Sequence, residues 1–201
     1  MQNVIFDYGM VLVRFEPMYM VTRYVTDPAD AALLAEVVFD REYWDRLDAG
    51  TITDEAVLAD CHTRLPARLH AVADEIYYNW IYNIPEIAGM GDVVRELKAR
   101  GVRCFLLSNI SRYFAAHASE APLITELSDC VFSAVCGLAK PDPAIFEYAC
   151  KRFGIQPSET LFVDDRAENV AAAEGCGIQG YVFDGDVVAL RAFLDGLFRN
   201  R

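Results

Sequence analysis

The amino-acid sequence predicts an α/β protein: a Rossmann-like core built on a parallel sheet, with a helical cap subdomain inserted into it. Three observations predict this. Short apolar or β-branched runs recur, namely NVIFDYG, GVRCFLLSN, CVFSAV, TLFVDD and IQGYVFDG. Most are separated by segments of helical periodicity, and that alternation favours a parallel sheet joined by helical crossovers. From about residue 16 to residue 85 the alternation stops, and Tyr19, Tyr24, Tyr43, Trp44, Tyr77, Tyr78 and Trp80 follow at helical spacings without a convincing strand. Residues 1–15 and 86–201 are therefore assigned to the core and 16–85 to the inserted cap. A chain of 201 residues, 54% apolar, suffices for one sizeable core and a small subdomain, not for two large domains.

Taken in order, NVIF supplies the first strand. In the cap, DREYWDRLDAG and TITDEAVLADC read as two helices joined at Gly50, the second opened by Thr53 as N-cap, with Ala56 where a capping box would place Glu. Most of the cap aromatics are expected to pack inward. Met90, Val93, Val94 and Leu97 line one face of a helix over 89–100, which Gly101 stops before the second strand. Further helices are expected over about 143–153, with Pro143 in its first turn and Gly154 at its end, over about 167–174, and over about 186–198.

Eighteen basic against thirty acidic residues give a net charge of −12, which repels a nucleic-acid backbone or an anionic membrane surface. An anionic substrate would need a local cation to receive it. The six cysteines are scattered with no Cys-x-x-Cys pair, and no signal-peptide pattern or membrane-spanning run is present, so a reduced, cytoplasmic location is expected. Cys61 and His62 are adjacent, a spacing that suits zinc poorly. The aromatic content fits either a monomer or a homodimer.

Four polar features stand where strands should end, and ligands of open α/β sheets bind outside the carboxyl ends of the strands. Asp7 follows the first apolar run and precedes Gly9, which permits close backbone approach. Ser108 and Asn109 close the second run, where they can donate hydrogen bonds to an anionic oxygen beside the free amides of a helix start. Lys140, in GLAKPDP, is a cation suited to neutralising phosphate charge. Asp164 and Asp165 end TLFVDD, and two adjacent carboxylates repel each other and so invite a cation. Each feature alone has an ordinary reading as a turn, a cap or a solvated side chain. Their succession at successive crossovers of one chain points to a phosphate site. A phosphate ester is anionic and resists a carboxylate nucleophile unless a divalent metal and fixed donors screen the charge. Asp7 would then attack phosphorus, and water would hydrolyse the aspartyl-phosphate. Magnesium prefers hard oxygen ligands, so Asp7, a backbone carbonyl and Asp165 would suffice, with Asp164 in support. Ser108 and Lys140 would hold the phosphoryl oxygens.

This ordered set resembles the haloacid dehalogenase-like (HAD) superfamily of hydrolases, whose four motifs correspond here to FDYGMVLV, LLSN, the lysine of AKPDP, and VDDRAEN. Within it, the chain is similar to the group of bacterial glucose-1-phosphate phosphatases and the N-terminal phosphatase domain of epoxide hydrolases, above all in KPDPAIFEYACKRFGIQPSETLFVDDRAENVAAAEGCGI. The resemblance implies Asp7 as nucleophile, the carbonyl of Gly9 and the side chain of Asp165 at the magnesium ion, and Ser108, Asn109 and Lys140 on the phosphate of a small-molecule substrate.

One position departs from the pattern. Most phosphatases of the superfamily carry a second aspartate two residues after the nucleophile, as general acid and base, and here that residue is Gly9. The proton must then come from water, from a cap residue such as Glu16 or Asp45, or not at all. The expectation is a substrate with a good leaving group, such as a sugar 1-phosphate or an acyl phosphate. Arg14, Phe15, Tyr19, Trp44 and Arg46 are the cap-side candidates for facing it. Two alternatives stay open: a metal-free 2-haloacid dehalogenase, in which the same aspartate attacks carbon, and a weakly catalytic binding protein.

Overall fold

The computed structural model describes residues 1–198. Strands β1 (Asn3–Phe6), β2 (Arg103–Ser108), β3 (Cys130–Phe132), β4 (Thr160–Asp164) and β5 (Gln179–Val182) form one sheet in the order β3-β2-β1-β4-β5, every neighbouring pair parallel. β1 is central, with Ile5 opposite Phe105 on one side and Phe162 on the other. All four of its residues are buried, as a parallel strand covered on both faces requires, and its apolar run is accordingly unbroken. Alternate side chains divide between the faces: Val4 and Phe6 join one apolar cluster and Ile5 the other.

Between β1 and β2 the described residues form no strand of this sheet. They form α1 (Pro17–Val21), α2 (Pro28–Val38), α3 (Arg41–Asp48), α4 (Asp54–Arg64) and α5 (His70–Asn83). Their starts are chemically marked. Asp27 accepts from the amides of Ala29 and Asp30, Asp40 from that of Glu42, and Thr53 from that of Ala56. The buried residues of this segment, among them Trp44, Tyr77 and Trp80, continue the same apolar cluster as Val4 and Phe6. Tyr19 and Tyr82 are exposed.

The remaining helices are α6 (Met90–Ala99), α7 (Arg112–His117), the short α8 (Ser133–Cys136), α9 (Pro143–Phe153), α10 (Ala167–Gly175) and α11 (Val187–Leu197). Val93, Val94 and Leu97 of α6 and Leu190 and Leu194 of α11 cover one sheet face. Ile145, Phe146 and Ala149 of α9 and Ala173 of α10 cover the other. Helices α6 and α9 are followed by Gly101 and Gly154 at φ of 76° and 62°, the left-handed stop that glycine adopts without a Cβ penalty.

The run CVFSAV, expected as one strand, is divided. After Phe132 the chain turns into α8, because the Ser133 hydroxyl accepts from the Ile110 amide at 2.9 Å and donates to the Asp48 carbonyl at 2.6 Å. No helix of the described chain is long and apolar enough to cross a membrane.

Candidate active site

With β1 between β2 and β4, the connections leave its two sides in opposite directions. That reversal opens a crevice at the carboxyl ends of the strands. The crevice is a cavity of about 520 Å³, and Asp7, Gly9, Ser108, Asn109, Lys140 and Asp165 all line it. Residues up to 158 positions apart in the chain thus meet at the carboxyl edge of the sheet, Lys140 reaching it from the loop after α8 and the others from the strand ends.

Asp7 directly follows β1 and stays in register with the sheet, its amide donating to the Val163 carbonyl at 2.9 Å. Lys140 is buried and its Nζ lies 2.8 Å from Asp7 Oδ1 and 2.7 Å from Asp164 Oδ2. Burial opposes a charge on that ammonium, but Asp7 and Asp164 outweigh it and raise its pKa above the ordinary lysine value. Burial also raises the Asp7 carboxyl above the usual range, against the pull of Lys140. Burial, reinforced by Asp7 and Asp164, pushes Asp165 up to about 6. The carboxylates of Asp7, Asp164 and Asp165 can each place an oxygen within 4.8 Å of the others.

The two members of the Asp-Asp pair differ. Asp164 is fully buried and fully bonded: it accepts from Lys140 Nζ, from the Arg166 amide at 2.9 Å, and from Asn169 Nδ2 at 3.0 and 3.1 Å. Asp165 accepts no side-chain hydrogen bond among the described residues and faces the cavity. Asn109 has a task the sequence did not suggest. Its Nδ2 donates to the Lys140 carbonyl and its Oδ1 accepts from the Lys140 amide, both at 2.8 Å. Its side chain therefore fixes the lysine loop at the edge of the cavity that it also lines. Ser108 is buried at the cavity floor. Gly9 has no steric need to be glycine, since a Cβ built there meets no heavy atom within 4 Å. The strained backbone is one residue later, at Met10, with φ 59°.

The roof of the cavity comes from residues 15–84. Of the five candidates, Phe15 and Trp44 line it, while Arg14, Tyr19 and Arg46 do not. Phe39, Arg41, Asp48 and Trp80 also line it and were not anticipated. The aromatic rings form one continuous wall, with Phe15 5.4 Å from Trp44 and 5.7 Å from Trp80, Trp44 5.0 Å from Trp80, and Phe39 stacked 5.6 Å from Trp44. Packing and cavity lining are here the same residues. Of the expected acids, Glu16 pairs with Arg14 at 3.3 Å and does not line the cavity. Asp45 lines it but is exposed and paired with Arg41 at 3.6 Å. The one signal for Asp48 was its place at the end of a predicted helix, where the dipole opposes a negative charge.

A model of the haloacid dehalogenase-like hydrolases matches residues 4–177. The chain is 29% identical over 180 residues to the sesquiterpene phosphatase astK of Aspergillus oryzae, covering 88% of this chain and 86% of that one. It is 34% identical over 101 residues to (S)-2-haloacid dehalogenase 1 of a Pseudomonas species, covering 50% of this chain and 43% of that one. A HAD family enzyme of Bacteroides thetaiotaomicron, solved in complex with magnesium and inorganic phosphate, shares the fold with a TM-score of 0.65, at 18% identity over 92% of this chain and 95% of that one. With four motif residues converging on one cavity and the family model running from β1 past the end of α10, this chain belongs to the haloacid dehalogenase-like hydrolases.

Proposed function

We propose that the chain is a magnesium-dependent phosphatase acting on small phosphate monoesters through an aspartyl-phosphate on Asp7, with residues 16–85 serving as the cap over its cavity. One observation carries the reading. Three carboxylates, Asp7, Asp164 and Asp165, cluster around one shared point, and a single ammonium, Lys140, pairs with the first two of them. When all three acids are ionised, two negative charges remain in excess, the amount a divalent ion offsets. The donors are hard oxygens, as magnesium requires: Asp7, Asp165 and the Gly9 carbonyl, which accepts no backbone hydrogen bond among the described residues. Asp164, whose oxygens already accept from Lys140, the Arg166 amide and Asn169, supports the site by positioning Lys140. When bound, magnesium offsets phosphoryl charge and lowers the barrier to attack by an anion. Lys140 holds the phosphate as a point charge, Ser108 donates to it, and Asn109 keeps Lys140 in place. The six cysteines are unpaired, which supports a reducing, cytoplasmic setting.

For the organic part, sugar 1-phosphates are the class the sequence resemblance favours, since the anomeric oxygen leaves as a weaker base than a primary alkoxide. A second class, phosphates of apolar alcohols, is favoured by the wall of Phe15, Phe39, Trp44 and Trp80 and by the name of the Aspergillus relative. A screen of phosphorylated metabolites with and without magnesium, including glucose 1-phosphate, glucose 6-phosphate and farnesyl phosphate, tests both. The expected result is phosphate release that requires magnesium and falls at least about 10⁴-fold in Asp7→Asn. Metal-independent halide release from a 2-haloacid would assign a dehalogenase instead, and turnover that survives Asp7→Asn would remove the nucleophile.

A further inference from the structure

On the phosphatase reading, a general acid is missing at Gly9, and we infer that Asp48, at the end of α3, supplies it from the cap side. Four observations converge. Asp48 lines the same cavity as Asp7. Its carboxyl takes no hydrogen bond from any described residue, and its Oδ1 is buried without a partner. A carboxyl placed this way is stabilised as the neutral acid, because nothing compensates a buried charge. Its backbone is nonetheless held firmly. The Asp48 carbonyl accepts from Ser133 Oγ at 2.6 Å, and that same Oγ accepts from the Ile110 amide, two residues beyond the phosphate-side Ser108. Gly50 brings the following turn against α8, where a Cβ would lie 3.5 Å from the Ala134 carbonyl.

The charged surroundings agree with this placement. Burial, then repulsion from Asp45 and Asp7, pushes the Asp48 carboxyl up to about 8, while Arg41 and Lys140 pull the other way. The competing acids are spent, Asp45 on Arg41 and Glu16 on Arg14. A general acid must be protonated at working pH and free of other partners, and Asp48 meets both conditions.

The step balances. As an Asp7 oxygen bonds to phosphorus and the ester P–O bond breaks, the leaving oxygen takes the Asp48 proton and departs as the alcohol. Water then attacks the aspartyl-phosphate while the Asp48 carboxylate removes its proton. The P–O bond to Asp7 breaks, phosphate leaves, and Asp7 returns as carboxylate with Asp48 again protonated.

The test compares two aryl esters that differ in leaving-group basicity, phenyl phosphate and p-nitrophenyl phosphate, with magnesium present. The measured quantity is kcat/KM, which reports the first chemical step. Asp48→Asn is expected to lose about 100-fold or more on phenyl phosphate and less than about 10-fold on p-nitrophenyl phosphate, whose leaving group needs little help. The variant is expected to melt no lower than the wild type, since it forfeits no side-chain hydrogen bond. The double variant Gly9→Asp/Asp48→Asn is expected to regain the phenyl phosphate loss, because the space at Gly9 is open. Equal losses on the two esters, no loss on either, or a clearly lowered melting temperature would overturn the assignment. Failure of the phosphatase reading gives a different result: wild type and Asp48→Asn alike release nothing from either ester.

Discussion

The floor and the roof of the cavity are built on opposite plans. On the floor, a bonded network ties the polar groups together: Asp7 and Asp164 share Lys140, Asn169 and the Arg166 amide complete Asp164, and the Asn109 side chain bonds both the amide and the carbonyl of Lys140. On the roof, an aromatic wall surrounds one carboxyl that touches no donor among the described residues. The difference teaches a division of labour. A fixed polar network holds charge where phosphoryl transfer needs it, which is the same for any ester. On the proposed function, the wall and Asp48 would meet what varies, the organic group and the oxygen that leaves with it.

The contrast breaks most sharply at Lys140. Lys140→Met strands two carboxylates at the floor, and removing one side of a buried pair costs about 3–5 kcal/mol. Urea unfolding in the absence of metal is expected to show that loss, together with loss of turnover.

On the roof, Asp48→Asn should do the opposite to stability. Its folded pKa is raised, so its contribution is fully present below the unfolded carboxyl value and is lost as pH rises through about 8. The advantage of the Asn variant over the wild type should therefore grow from about pH 4, by about 1.4 kcal/mol for each pH unit, and level off above about pH 8. Unfolding at pH 5 and pH 8.5 measures it, and a pH-independent difference would contradict the buried, unpartnered carboxyl.

The smallest effect belongs to the wall. Trp44→Phe removes the hydrogen bond from Nε1 to the Val38 carbonyl, 3.1 Å long, at about 1 kcal/mol. It should also change the ratio of kcat/KM between glucose 1-phosphate and farnesyl phosphate about 2- to 10-fold, the range of an aromatic contact. An unchanged ratio would separate the wall from substrate selection.

The same contrast governs what was legible in the sequence. Asp7, Ser108 and Asp164 were readable because each interrupts an apolar run at its end, and a strand end is a local property of the chain. The positions of Asn109 and Asp164 were found but not their bonds to Lys140, since both depend on where the lysine loop folds back. The roof was largely illegible. The α3 residues that line the cavity, Arg41, Trp44, Asp45 and Asp48, share one helical face, but what that face meets depends on distant contacts such as Asp48 with Ser133, 85 residues apart. The same contact explains why CVFSAV was misread as a single strand. The sequence pointed to Asp45 and not to Asp48, because the pairing of Asp45 with Arg41 is a matter of side-chain geometry.

The open space around Gly9 has an evolutionary side. Glycine and aspartate codons can differ by one base, and at this position no neighbouring atom would resist the exchange. Where the codon for Gly9 ends in a pyrimidine, a single nucleotide change, Gly9→Asp, would give the chain two acids, the new one and the inferred Asp48, to serve the same ester oxygen. A lineage could pass between one proton source and the other through an intermediate that holds both, without ever losing turnover.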